Sequence, residues 1–204
     1  RGLGDVYKRQ IFQSRTYVVS FVAQNLLNAS FMGITLIVPL FIEEIWGGTA
    51  LEAGLVLLPG TIAALFINPL AGYLTDRFHA RPVIVFFGAC LALGSVAMAF
   101  MDASTPFWLI LLLQGIRACG VSGLVSPLTS WSMEELAPNR MTDASSFSTA
   151  VRQAVASMGT ALMVFSITLG SQVFGSLLFG FQLALGLSGA FALALFIVSL
   201  VRVR

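Results

Sequence analysis

Six long apolar runs, at about 16–42, 51–74, 82–101, 106–128, 144–170 and 175–201, fill the chain almost end to end. Each is long enough to cross a ~30 Å hydrocarbon layer as a helix, which takes about 20 residues. None alternates polar with apolar residues as a membrane strand does. Only 10% of the 204 residues are charged and 57% are hydrophobic, whereas soluble domains carry about 25% charge. A soluble fold of this size could not cover its surface with so few polar side chains. Eleven Lys and Arg against nine Asp and Glu leave no basic patch for nucleic acid. The expected fold class is an all-α membrane protein with six transmembrane helices, embedded in the lipid bilayer.

The chain begins at Arg1, and its first ten residues, RGLGDVYKRQ, hold its only lysine, Lys8. They resemble a translated remnant of a sequencing adapter. Residues 1–10 are therefore set apart as a non-native or linker segment, and 11–204 as the transmembrane bundle of a fragment. No secretory signal stands in this stretch. Cys90 and Cys119 lie inside apolar runs and read as small packing residues.

The junctions carry helix-start chemistry. Thr49 followed by Glu52 predicts a capping box. Pro82 and Pro106 suit a first helical turn, where the missing N–H is not needed. Ser132 to Arg140 reads as a polar turn. Pro39, Pro59, Pro69 and Pro127 fall inside helices and predict kinks or local unwinding.

With six spans both ends lie on one side of the membrane. That side holds Arg15, Arg77, Arg81, Arg140, Arg202 and Arg204. The opposite turns hold no Lys or Arg, only Glu43, Glu44 and Asp102. The positive-inside rule makes both ends cytoplasmic. Trp46, Trp108, Trp131, Tyr17 and Tyr73 stand at span ends, as an interfacial belt requires.

Polar residues at membrane depth are costly and must face protein or water. Tyr17, Ser20, Gln24, Asn28 and Thr35 share one face of the first helix, with Asn25 beside it. Ser146, Thr149, Gln153, Ser157 and Thr160 form a second stripe on the fifth. Either interhelical hydrogen bonding or a solute-lining wall accounts for such stripes, and the wall is favoured. On the fourth helix Gly115, Cys119, Ser122 and Ser126 make a small-residue face for close packing. Gln114 and Arg117 lie roughly opposite. No acidic residue is placed to pair with Arg117. Its partner is an unseen carboxylate, an anionic ligand, or a purely structural set of backbone carbonyls with Gln114. Arg152 can reach toward the membrane boundary.

The turn from Gly72 through Asp76, Arg77, His79 and Arg81 to Pro82 is a short, charged connector. It resembles the G-x-L-x-D-R-x-G-x-R turn of the major facilitator superfamily, with His79 where that family often has Gly. The stretches Pro39 to Glu44, Ala53 to Gly60, Pro69 to Gly72, Gln114 to Arg117, Gly120 to Thr129 and Ala144 to Ala161 look like the 14-helix drug:proton antiporters of the EmrB/QacA type. They come in that family's order and map to its last six helices, although the loop at 170–176 is shorter than the family's usual outer loop.

The resemblance implies the C-terminal half of a proton-coupled multidrug exporter in the bacterial plasma membrane, working by alternating access. It implies protons and hydrophobic or cationic small molecules as partners, with a missing N-terminal half holding the proton-coupling carboxylates. Substrate contacts then fall to Gln24, Asn25, Asn28, Gln114, Arg117 and Gln153, and gating to Gly72, Asp76, Arg77 and Arg81. The alternatives are a self-assembling six-helix channel or a carrier for another solute. An enzyme is disfavoured, because one His and no H-E-x-x-H, G-x-S-x-G or phosphate loop are present. No cofactor or metal is expected.

Overall fold

The computed structural model describes the backbone of residues 15–133 and 138–202, with side chains at 17–132 and 145–201. Segment 1–10, Glu134, Glu135 and the side chains of Arg15, Arg140, Asp143, Arg202 and Arg204 lie outside the described residues. The helices are α1 (Arg15–Glu44), α2 (Ala50–Leu55), α3 (Leu58–Phe78), α4 (Ala80–Met98), α5 (Phe107–Met133), α6 (Pro138–Val173) and α7 (Leu177–Arg202). With α2 and α3 counted together they make six spans long and apolar enough to cross a membrane. No strand occurs among the described residues.

The second expected helix is two pieces. Pro59 has no N–H and its ring disfavours helical geometry just before it. The chain turns at Val56 and Leu57, where Leu57 N–H donates to the Gly54 carbonyl at 3.1 Å, and α3 starts afresh. The start of α2 follows the capping-box expectation. Thr49 Oγ1 accepts from Glu52 N–H at 3.3 Å, and Thr49 N–H donates to the Glu52 carboxylate at 2.8 Å. Pro39, Pro69 and Pro127 interrupt no helix. The polar turn expected to run through Arg140 is shorter, because α6 already begins at Pro138, a residue suited to a first helical position.

Apart from the short α2, α1 packs on α5, α6 and α7, and α4 packs on α3, α5 and α7. In addition α3 packs on α5, and α6 on α7. Exchanging α1 with α5, α3 with α6 and α4 with α7 leaves this set of pairs unchanged. Two inverted three-helix repeats give such a pattern. The α4–α5 crossing is closely fitted. A Cβ on Gly94 would fall 2.8 Å from the Arg117 nitrogen, and one on Gly120 would fall 2.4 Å from the Leu91 nitrogen. The small-residue face of α5 packs as expected, but against α3: Gly115 meets Pro59, and Ser126 meets Gly72.

The core divides into two apolar clusters stacked along the bundle. One gathers Leu27, Phe87, Leu91, Leu124, Leu128 and Leu195, and the other Ile34, Phe41, Met98, Ile110, Phe181 and Leu185. Along α1, α4, α5 and α7 the change from one cluster to the other falls at Ser30, Ser95, Gln114–Arg117 and Ser188. A buried polar layer therefore crosses the middle of the bundle. On one side of it Ser30 and Ser188 clasp each other: each hydroxyl donates to the other's carbonyl, at 3.1 and 3.0 Å.

Two members of the expected interfacial belt are buried instead. Trp131 is 7% exposed and belongs to the first cluster. Tyr17 is 1% exposed, its hydroxyl 2.8 Å from Ser148 Oγ on α6, which removes its need for an interface. Trp108 and Tyr73 are exposed, as a belt requires, and Trp46 Nε1 donates to the Thr105 carbonyl at 3.0 Å. In that same turn, hydrogen bonds from Ser104, and then from Thr105, hold the Asp102 carboxyl below the ordinary carboxylate range.

Candidate functional site

An open groove of about 380 Å³ lies between α1, α3, α5 and α6. These four helices are two pairs related by the repeat exchange, while α4 and α7 stand behind. From α1 come Gln24, Leu27, Asn28, Phe31 and Met32; from α3, Asn68; from α5, Val121, Ser122, Val125 and Thr129; from α6, Arg152 and Gln153. Phe31 in its lining stands next to Arg117 of the polar layer.

Hydrogen bonds brace the mouth. Arg152 donates to Gln24 Oε1 and to Thr149 Oγ1, both at 3.3 Å. Gln24 Nε2 in turn donates to the Leu128 carbonyl at 3.1 Å, so one chain of contacts ties α6 to α1 to α5. Asn28 donates to the Gln24 carbonyl of its own helix at 2.9 Å. Among the described residues Arg152 is the only charged one that lines the groove.

The expected substrate residues divide. Gln24, Asn28 and Gln153 line the groove together. Asn25 does not; it lies in a separate, apolar groove of about 400 Å³ between α1, α6 and α7. Gln114 and Arg117 are 5% and 1% exposed and sit behind the groove in the polar layer. The structural alternative for Arg117, bonding to carbonyls and Gln114, is not what the structure shows. None of its three nitrogens has a hydrogen-bond partner, and Gln114 Oε1 and Ser95 Oγ have none either. The guanidinium carbon lies 5.9 Å from the centre of the Phe31 ring. On α6, Ser157 and Thr160 bond back to their own helix and Ser157 is exposed, so these two members of the stripe do not bond between helices.

Asn68, Thr129 and Phe31 also line the groove, although the sequence reading did not single them out. Asn68 has no polar neighbour three or four residues away on its helix, yet an amide at membrane depth is a signal by itself. Arg152 is more central than its reach toward the boundary implied.

At the connector, His79 ends α3 and starts α4 with φ 67° and ψ 161°. It is the only non-glycine at positive φ among the described residues, in a region nearly reserved for glycine. Asp76, Arg77 and Arg81 are exposed. Arg77 donates to the Tyr73 hydroxyl at 2.8 Å and lies over Phe78, so it holds its own helix rather than a neighbouring end. Gly72 faces α5, where a Cβ would come 3.6 Å from Ser126 Oγ. Among the described residues no group of three His, Cys, Asp or Glu is placed to hold a metal ion.

A membrane bundle of inverted three-helix repeats, with a polar groove walled by its inner helices, has the architecture of secondary transporters. The Major Facilitator Superfamily profile matches residues 2–160, and the chain belongs to that family. It is 29% identical over 158 residues to the uncharacterized MFS-type transporter YhcA of Bacillus subtilis (strain 168), covering 78% of this chain and 29% of the relative. It is 26% identical over 157 residues to the multidrug export protein EmrB of Escherichia coli (strain K12), covering 74% and 30%. The riboflavin transporter RibZ of Clostridioides difficile (strain 630) is 22% identical over 151 residues, covering 74% and 33%. The chain thus spans about a third of the length of these relatives. The fold is shared with an auto-inhibited POT family peptide transporter at TM-score 0.71 and 19% identity, covering 92% of this chain and 37% of that one.

Proposed function

We propose that the chain is the C-terminal six-helix half of a bacterial exporter of drugs or toxic compounds, driven by protons and working by alternating access. The observation that carries this reading is the polar groove on the inner helices of a major facilitator bundle. A relative named for multidrug export and a span of about a third of its length support the export reading and the half-transporter reading. No Asp or Glu lines the groove among the described residues, and in this reading the protonated carboxylates of the exchange belong to the rest of the transporter. Both ends of the segment lie in the cytoplasm of a cell whose inner membrane holds the protein. In this reading it is a carrier, not an enzyme.

Gln24, Asn28, Asn68 and Gln153 contact the solute, while the turn at Gly72, Asp76, Arg77 and Arg81 governs the change of access. The test is efflux of a compound panel from cells making the complete transporter. Export that stops when the proton gradient is collapsed supports the reading; export indifferent to the gradient contradicts proton exchange. Asp76→Asn should slow turnover more than it weakens solute binding, and equal losses argue against a gating role. A second reading, a carrier for another small solute, is favoured by the likeness to a riboflavin transporter. Export of no compound together with uptake of one would decide for it.

A further inference from the structure

Among the described residues Arg117 is the largest fully buried side chain, and every nitrogen of its guanidinium lacks a hydrogen-bond partner. Leaving one charge of a buried pair uncompensated typically costs several kcal/mol, and an arginine carries five N–H donors in a planar fork. Such a group is retained when something supplies the missing acceptors. The backbone that carries the fork is closely packed. Gly94 brings α4 against the Arg117 backbone, and Gln114 stands one turn earlier on the same helix with its own oxygen unpartnered. Phe31, a residue of the groove lining, has its ring centre 5.9 Å from the guanidinium carbon. Phe31 thus touches both the buried guanidinium and the open groove.

The charge of the groove agrees with this. Its single charged lining residue is a cation, Arg152. Leu27, Met32, Val121 and Val125 offer apolar wall to the body of a solute. Guanidinium groups recognise planar or tripodal oxyanions through paired hydrogen bonds.

We infer that Arg117 is a concealed oxyanion site capped by Phe31, which receives the carboxylate, sulfonate or phosphate of an amphipathic solute when the ring turns aside. This rests on the reading of the groove as the solute site. It changes the expected cargo: a cation would meet Arg152 at the mouth and Arg117 at the end.

The test is calorimetric titration of the complete transporter in lipid nanodiscs with two probes of like body, 1-naphthalenesulfonate and neutral 1-naphthalenemethanol. The sulfonate should bind at least tenfold more tightly. Arg117→Gln should cut sulfonate affinity by about tenfold to a hundredfold, as loss of a charged hydrogen bond does, and leave the alcohol unchanged. Arg117→Lys, which keeps the charge without the fork, should retain part of the preference and serves if the glutamine variant does not fold. Phe31→Ala should speed sulfonate association. Equal affinities for the two probes overturn the site while leaving the transporter reading intact. A preference that survives Arg117→Gln but disappears in Arg152→Gln overturns it in favour of the groove mouth. Should Arg117→Gln lower thermal stability and move neither probe, Arg117 serves an internal carboxylate and the inference is wrong. If neither probe binds, the solute site and the inference fall together.

Discussion

Halfway across the bundle, two sets of buried polar groups lie at one level and are treated in opposite ways. Where α1 meets α7, Ser30 and Ser188 satisfy each other completely. Where α4 meets α5, Ser95, Gln114 and Arg117 are just as buried and have unpartnered atoms. Both sets interrupt the same pair of apolar clusters. The difference teaches that depth alone does not assign a role. A reciprocal serine clasp is finished and serves packing. A buried guanidinium without acceptors, one ring away from a groove, is unfinished within this chain.

The strongest way to break the comparison is to remove the close crossing that forms the second set. Gly94→Val places a branched side chain against the Arg117 backbone and should cost about 3 kcal/mol, the upper range of overpacking. Its unfolding midpoint in detergent should fall sharply, whereas an unchanged midpoint would show that α4 and α5 are not in contact there. Next, Arg117→Met should raise stability by about 2 kcal/mol, as replacing buried charge by apolar volume often does, while export falls. Lower stability with normal export would make Arg117 a structural residue. As a control outside the layer, His79→Gly relieves a backbone conformation that costs about 1–3 kcal/mol and should raise the midpoint. The smallest effect is expected of Ser30→Ala, about 0.6 kcal/mol, typical of interhelical hydrogen bonds in membranes, with transport intact. Loss of transport there would erase the distinction between the two sets.

The spans were legible because insertion into lipid demands long apolar runs, and six such runs leave few alternatives. Pro59 was legible as a site of unwinding, since the missing N–H acts through the local backbone. Pro39, Pro69 and Pro127 carry the same signal without a break, because tertiary packing decides whether a helix continues. The groove was half legible. Gln24, Asn28 and Gln153 stand out as amides on helical stripes. Asn25 shares that signal but lies on another face of α1, and a sequence stripe is too wide to separate the two. Burial of Tyr17 and Trp131 depends on which neighbours fill the space beside them, and a distant Ser148 is invisible from Tyr17 in the sequence. Phe31 carries no signal at all, since its role comes only from standing between a groove and a charge.

The central claim is that the groove between α1, α3, α5 and α6 is where the transported solute lies. The most direct test places a cysteine at Asn28 in the complete transporter, with Cys90 and Cys119 replaced by serine, and measures its reaction with a membrane-impermeant maleimide. An exported compound should slow labelling of Asn28→Cys in proportion to its occupancy. Labelling that proceeds at the same rate with saturating compound would contradict it.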